Sequence, residues 1–139
     1  TAPAILIDNA SAATTEIDTL GYDYARILVI IGATDIGITA LAVTESDVTA
    51  SGHANVTGLI YGTSADIAGT TSVVPSATDD NKCFAFEIDL RARKRFLDVT
   101  ATVGDGTVGG YVTIVALLSR ADEQLSAAAS RGYANILRV

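Results

Sequence analysis

CFAFEIDLRARKRFLDVTATVGDGTVGGYVTIVALLS, residues 83–119, holds three apolar stretches separated by a basic connection and a glycine-rich one. In CFAFEIDLR (83–91), Phe84, Phe86, Ile88 and Leu90 alternate with Ala85, Glu87 and Asp89. Side chains of a strand point alternately to its two faces, so this period of two predicts a strand with one apolar and one partly acidic face. RFLDVTATVG (95–104) repeats the pattern, with Leu97, Val99, Ala101 and Val103 opposed to Phe96, Asp98, Thr100 and Thr102. YVTIVALLS (111–119) has no such alternation and predicts a strand buried on both faces. GDGTVGG (104–110) reads as a hairpin loop joining the last two strands.

The same texture extends upstream. AATTEIDTLG (12–21) alternates Thr15, Ile17 and Thr19 against Glu16 and Asp18, and Gly21 ends it. YDYARILVIIG (22–32) is a continuous apolar run that predicts a central strand covered on both faces. Gly32 to Gly37 reads as a turn, and ITALAVTES (38–46) as another strand. Residues 47–82 are rich in Ser, Thr, Gly and Asp and predict one or two short strands within a long elaborated loop. AILIDNA (4–10) reads as a short strand or as an arm lying on a neighbour. After Ser119 an Ala-rich stretch, SRADEQLSAAASRG (119–132), predicts one short helix or an extended tail, and YANILRV (133–139) is apolar enough to want burial. Strands spaced by turn signals in this way predict a single all-β domain over 1–139, a β-sandwich or jelly-roll-like fold. At its ends the reading adds an N-terminal arm (1–11) and a C-terminal docking tail (120–139).

Composition narrows the function. The chain has 139 residues, enough for one domain with its own core. With 49% hydrophobic and 18% charged residues it is not a disordered composition, and its apolar content is mostly aliphatic and β-branched, without Trp or Met. The net charge of −7 repels phosphates and anionic lipid, so neither nucleic acid nor membrane is an expected partner. No apolar run approaches the roughly 18 residues of a membrane helix. The lone Cys83 rules out an internal disulfide, and with the single His53 it leaves little for a zinc or iron site, so no cofactor is expected.

Catalytic constellations are also thin. Asp8, the Asp79-Asp80 pair, Glu87 with Asp89, and Asp105 are the carboxylates that could serve as acid and base or as calcium ligands. Glu87 and Asp89 share one strand face, which reads as a solvated face. Asp79, Asp80 and Asn81 lack the spacing of a calcium loop. His53 lies in SGHAN with no nucleophile elbow beside it, and Cys83 reads as a small apolar residue. GDGTVGG lacks the ending of a phosphate loop. These observations predict a protein that is not an enzyme.

The sharpest charge feature is Arg91-Ala92-Arg93-Lys94-Arg95, with four of the nine basic residues. It reads as an anion contact, as a connection salt-bridged within an acidic chain, or as a contact with an acidic patch on another subunit. The structural and inter-subunit readings are preferred to nucleic acid.

One resemblance goes beyond composition. It runs through IDTLGYDYARILVIIGATD (17–35), LAVTESD (41–47) and DDNKCFAFEIDLRARKRFLDVTATVGDGTVGG (79–110), and closes in a small-residue tail. The chain resembles a group of small tailed-bacteriophage proteins encoded near the capsid genes. The resemblance implies a virion protein on the capsid surface, a decoration or cement protein. Its implied partners are the major capsid protein and other copies of itself, with a trimer as the expected order. The expected contact elements are Ile5, Leu6 and Ile7 of the arm, Arg91, Arg93, Lys94 and Arg95, and Ile136, Leu137 and Val139 of the tail. The competing expectation is a carbohydrate- or receptor-binding module of a phage tail or fibre, which requires several of Tyr22, Tyr24, Tyr61, Tyr111 and Tyr133 on one exposed face. A hydrolase would require His53 within hydrogen-bond reach of a nucleophile in a cleft.

Overall fold

A computed structural model describes residues 5–12 and 14–121. The helix expected within 119–132, the tail, and its Ile136, Leu137 and Val139 lie outside the described residues, apart from the end of the last strand. The described strands are β1 (Ile5–Ile7), β2 (Ala10–Ser11), β3 (Ile17–Asp18), β4 (Tyr22–Thr34), β5 (Ile38–Ser46), β6 (Ala54–Ile60), β7 (Cys83–Asp89), β8 (Phe96–Val103) and β9 (Gly110–Ala121). A single 3₁₀ turn, Leu90–Ala92, follows β7.

The strands form four nested antiparallel pairs. β5 pairs with β6, β4 with β7, β2 and β3 with β8, and β1 with β9. This nested hairpin is rolled, so that β4 also meets β9 and β5 also meets β8. The result is one sheet in the order β1-β9-β4-β7 and a second in the order β2-β8-β5-β6, with β3 also on β8. Counting β2 and β3 as one interrupted edge, this is the strand order of a jelly roll. The all-β sandwich expected from the alternating segments is therefore what the chain forms.

Alternation decides what fills the sandwich. Ala25, Ile27, Val29 and Ile31 of β4, with Phe86 and Ile88 of β7 and Val112 and Ile114 of β9, point inward from the first sheet. Leu41 and Val43 of β5 and Leu97, Val99, Ala101 and Val103 of β8 meet them from the second. Tyr61 closes one side, its ring edge-on to Phe84 and Phe86 at 5.8 and 5.2 Å, and its hydroxyl donates to the Ala85 carbonyl at 3.0 Å.

Three expectations need correction. Neither β4 nor β9 is covered on both faces. Arg26 and Ile30 of β4 and Tyr111, Val115 and Leu117 of β9 are exposed, because among the described residues nothing packs on the outside of the first sheet. The glycine-rich 104–110 segment is not a hairpin, because β8 and β9 belong to different sheets and the loop crosses between them. Of the strand expected over 12–21, only Ile17–Asp18 makes ladder pairs. Between Ser11↔Thr102 and Ile17↔Leu97 the edge uses one more residue than β8 does, and the Thr14 hydroxyl bonds the Val99 carbonyl at 3.2 Å. The extra residue bulges the edge, which discourages pairing with another chain.

Candidate functional site

The connections gather at the two ends of the sandwich, and the two ends differ in chemistry. At one end the basic run meets acids of its own chain. Arg91 pairs with Asp89, Arg93 Nη1 lies 3.6 Å from Glu45, and Arg95 makes a forked pair with Asp18 at 2.8 and 2.7 Å. The backbone N–H of Lys94 donates to Glu45 at 3.1 Å, while its side chain is exposed. The Arg95 guanidinium holds the Asp18 carboxyl below its ordinary range. The Arg91 and Arg95 pairs are solvent-exposed and contribute little stability each, the Arg93–Glu45 pair is half-buried, and together they define the conformation of the connection.

The same end contains the one histidine. Glu16 accepts from the Thr49 hydroxyl at 2.6 Å, the Ala50 N–H at 2.7 Å and His53 Nε2 at 2.9 Å. The other imidazole nitrogen, Nδ1, faces the Thr44 hydroxyl at 3.4 Å, and that hydroxyl also lies 3.4 Å from the Asp98 carbonyl. The carboxylate–imidazole–hydroxyl order is that of a nucleophile relay with a long hydroxyl step. What the cluster does is fasten the 47–53 loop to the strand edge. Sequence spacing could not show it, because Glu16 and His53 are brought together only by the roll.

At the other end, aspartates hold the loops. Asp35 accepts the backbone N–H groups of Thr107, Val108 and Gly109, each at 2.8 Å. Asp8 takes the Gly106 N–H at 2.8 Å, and Asp80 takes that of Thr34 at 2.8 Å. Asp79 bonds Ser76 through backbone and hydroxyl and pairs with Lys82 at 2.6 Å. Asp66 caps its own turn with bonds from Ala68 and Thr70. Of the carboxylates singled out as acid–base or calcium candidates, Asp8, Asp79 and Asp80 turn to separate backbone partners, Glu87 pairs with Arg26 and Asp89 with Arg91, and no cluster of three metal-ligating side chains forms among the described residues.

These bonds predict the acid response. Thr49 above all lowers Glu16, the Val108 N–H lowers Asp35, the Thr70 N–H lowers Asp66, and Lys82 pulls Asp79 down to about 2. Each folded-state value lies below the unfolded one, so the unfolded chain takes up protons first as the pH falls. Their stabilisation is complete above about pH 5 and drains as the pH drops through about 4. It is gone once Asp79 titrates near about 2. The expected thermal midpoint is flat above about pH 5 and falls steadily below about pH 4. A midpoint that rises on acidification through that window would contradict the clamps.

The two outer sheet faces complete the picture. Outside the second sheet stand Thr44, Asp98, Thr100 and Thr102, with Ala40 and Ala42 beside them and a half-buried Phe96 under Arg95. Outside the first sheet, Leu6, Leu28, Ile30, Tyr111, Val115 and Leu117 form an apolar stripe. Register places them side by side: Leu28 is opposite Val115, Arg26 opposite Leu117, and Leu6 opposite Tyr111. The stripe ends at the Arg26–Glu87 pair, 2.5 Å apart. The expected arm residues Ile5, Leu6 and Ile7 form the short strand β1 on β9, with Ile7 buried and Leu6 on the outer stripe. Of the tyrosines, Tyr22 and Tyr61 pack on the core, and Tyr24 stacks under Arg120 at 5.6 Å. Tyr24 pairs with Ser119 and Tyr111 lies eight residues away on β9, about 26 Å along the strand, so these two make no common platform.

No protein-family model, curated protein or solved structure matches the chain.

Proposed function

We propose that this chain is a structural virion protein that binds the outer surface of a bacteriophage capsid and stabilises it as a decoration protein. The observation that carries the reading is the inequality of the two sheet faces: Leu6, Ile30, Tyr111, Val115 and Leu117 stand exposed on β1-β9-β4-β7, and no large apolar side chain of β5 or β8 is exposed on the other. A contiguous exposed apolar patch on a soluble β-sandwich is the mark of a protein–protein contact. The rest of the molecule suits that role. A jelly roll whose loops are fastened by carboxylates is rigid, and a rigid binder loses little entropy on docking. Repetition over a shell turns modest single contacts into high avidity. The resemblance of 17–35, 41–47 and 79–110 to small phage proteins points the same way.

The test is cryo-electron microscopy of tailed-phage capsid shells mixed with the purified protein. The expected result is β-sandwich density at regular positions outside the shell, with the Leu117 face turned toward it, and loss of that density with Leu117→Asp. Shells that bind none of the protein remove the reading.

A further inference from the structure

A protein that bridges subunits needs a second contact, and the sheet face supplies one only. We propose that the aspartate-clamped loop end of the sandwich, led by Ile67, is that second docking surface, and that it takes a basic protein surface with an apolar recess. The inference rests on the decoration reading for the identity of the partner, not for the existence of the surface.

Ile67 is 107% exposed, as open as in an extended peptide. Single exposed aliphatic residues are ordinary on protein surfaces. This one stands on a small, fully hydrogen-bonded hairpin. Ala65 bridges to Thr71, the Asp66 N–H donates to the Thr70 carbonyl at 2.7 Å, and the Gly69 N–H donates to the Asp66 carbonyl at 3.0 Å. The base of the hairpin is closed by Ser64 and Ser72, the Ser72 N–H donating to the Ser64 carbonyl at 2.8 Å. A floppy loop would fold Ile67 back onto the apolar surface; this one holds it outward. Val73 on the same loop is 75% exposed, and Val108 on the 104–109 crossing is 59% exposed. Topology puts both loops at one end: the Ile38 N–H bonds the Pro75 carbonyl at 2.8 Å, and the Gly104 N–H bonds the Gly37 carbonyl at 3.0 Å.

Charge says what fits there. The connections at this end, 8–9, 35–37, 61–82 and 104–109, contain six aspartates against Lys82 alone, a net −5 of the chain's −7. At the opposite end Arg91, Arg93 and Arg95 are matched by Asp89, Glu45 and Asp18. With Glu16, Asp47 and Lys94 also at that end, the excess of negative charge is larger at the loop end, and it steers a basic surface there. The exposed aliphatic knobs then require an apolar recess, which is how anchor residues supply most of the energy of an interface.

The experiment is a two-dimensional amide NMR titration of the full chain with a short peptide alternating Lys and Leu, run beside co-sedimentation with shells. The expected perturbations centre on 66–70 and 107–109 and weaken in high salt. Ile67→Asp is expected to weaken the peptide about tenfold, as loss of an anchor does. Val48→Asp, at a position as exposed as Val108 but on the 47–53 loop at the opposite end, is expected to leave it unchanged. Because the Ile67 side chain is fully exposed, an unchanged melting curve for Ile67→Asp separates lost binding from lost fold. Perturbations centred on the outer sheet face, or full binding by Ile67→Asp, overturn the inference. Shells that ignore the wild-type protein sink the decoration reading, while the peptide map still decides the loop end.

Discussion

Ile27→Ala is expected to lower the free energy of unfolding by about 2–5 kcal/mol, and Ile30→Ala, three residues along the same strand, by only about 1 kcal/mol. Ile27 is 0% exposed and packs between the sheets, so its truncation leaves a cavity that the close-packed core fills only in part. Ile30 is 41% exposed and lies between Cys83 and Thr113 on the outer face, where water replaces the lost atoms. Urea unfolding of the two variants, with unchanged m-values, measures the contrast. The informative failure is equality. If Ile30→Ala costs as much as Ile27→Ala, the outer face of the first sheet is already covered in solution, and the apolar stripe is not a surface awaiting a shell.

That contrast also marks what the sequence revealed and what it concealed. The alternation of Phe84, Phe86 and Ile88 against Ala85 and Glu87 announced a strand with one inner face, and it is one. In ARILVII two of the three outer positions, Leu28 and Ile30, are themselves apolar, so periodicity could not separate a doubly buried strand from one that keeps a largely apolar face for a partner. The error therefore fell where the chain is argued to bind. The clamps were hidden for a different reason. Asp35 precedes Ile36 and Gly37, which reads as a local turn, yet its three partners are more than seventy residues on, across the sheet-to-sheet crossing. Glu16 and His53 are 37 residues apart. A carboxylate that answers a remote backbone has no local signature. The basic run was legible as charge, but the acids that its arginines meet, Asp89, Glu45 and Asp18, come from three separate places in the chain.

Gly109→Ala is expected to destabilise the fold by about 2–4 kcal/mol, lowering the melting temperature by roughly 10 °C. Gly109 has φ +95°, a backbone conformation open to glycine and costly for any residue with a Cβ. Strain is only part of the effect. A Cβ there would run into the carbonyl of Ile7, in β1, and the Cβ of Asp8. The same residue donates its N–H to Asp35 at 2.8 Å, and its carbonyl accepts from the Asp35 N–H at 3.2 Å. Pushing it aside therefore disturbs the first strand, the β4–β5 turn and the loop crossing together. Gly69→Ala is the control. Its φ is +81°, but nothing lies within 4 Å of a Cβ, so only the backbone term of about 1–2 kcal/mol applies. A markedly larger loss at Gly109 assigns the difference to the contact with β1. It would mean that the N-terminal strand is welded to the loop end and is part of the rigid body, not an arm free to clamp a neighbour. Equal losses would mean that β1 yields at little cost, and would return Ile5, Leu6 and Ile7 to the role of a detachable arm.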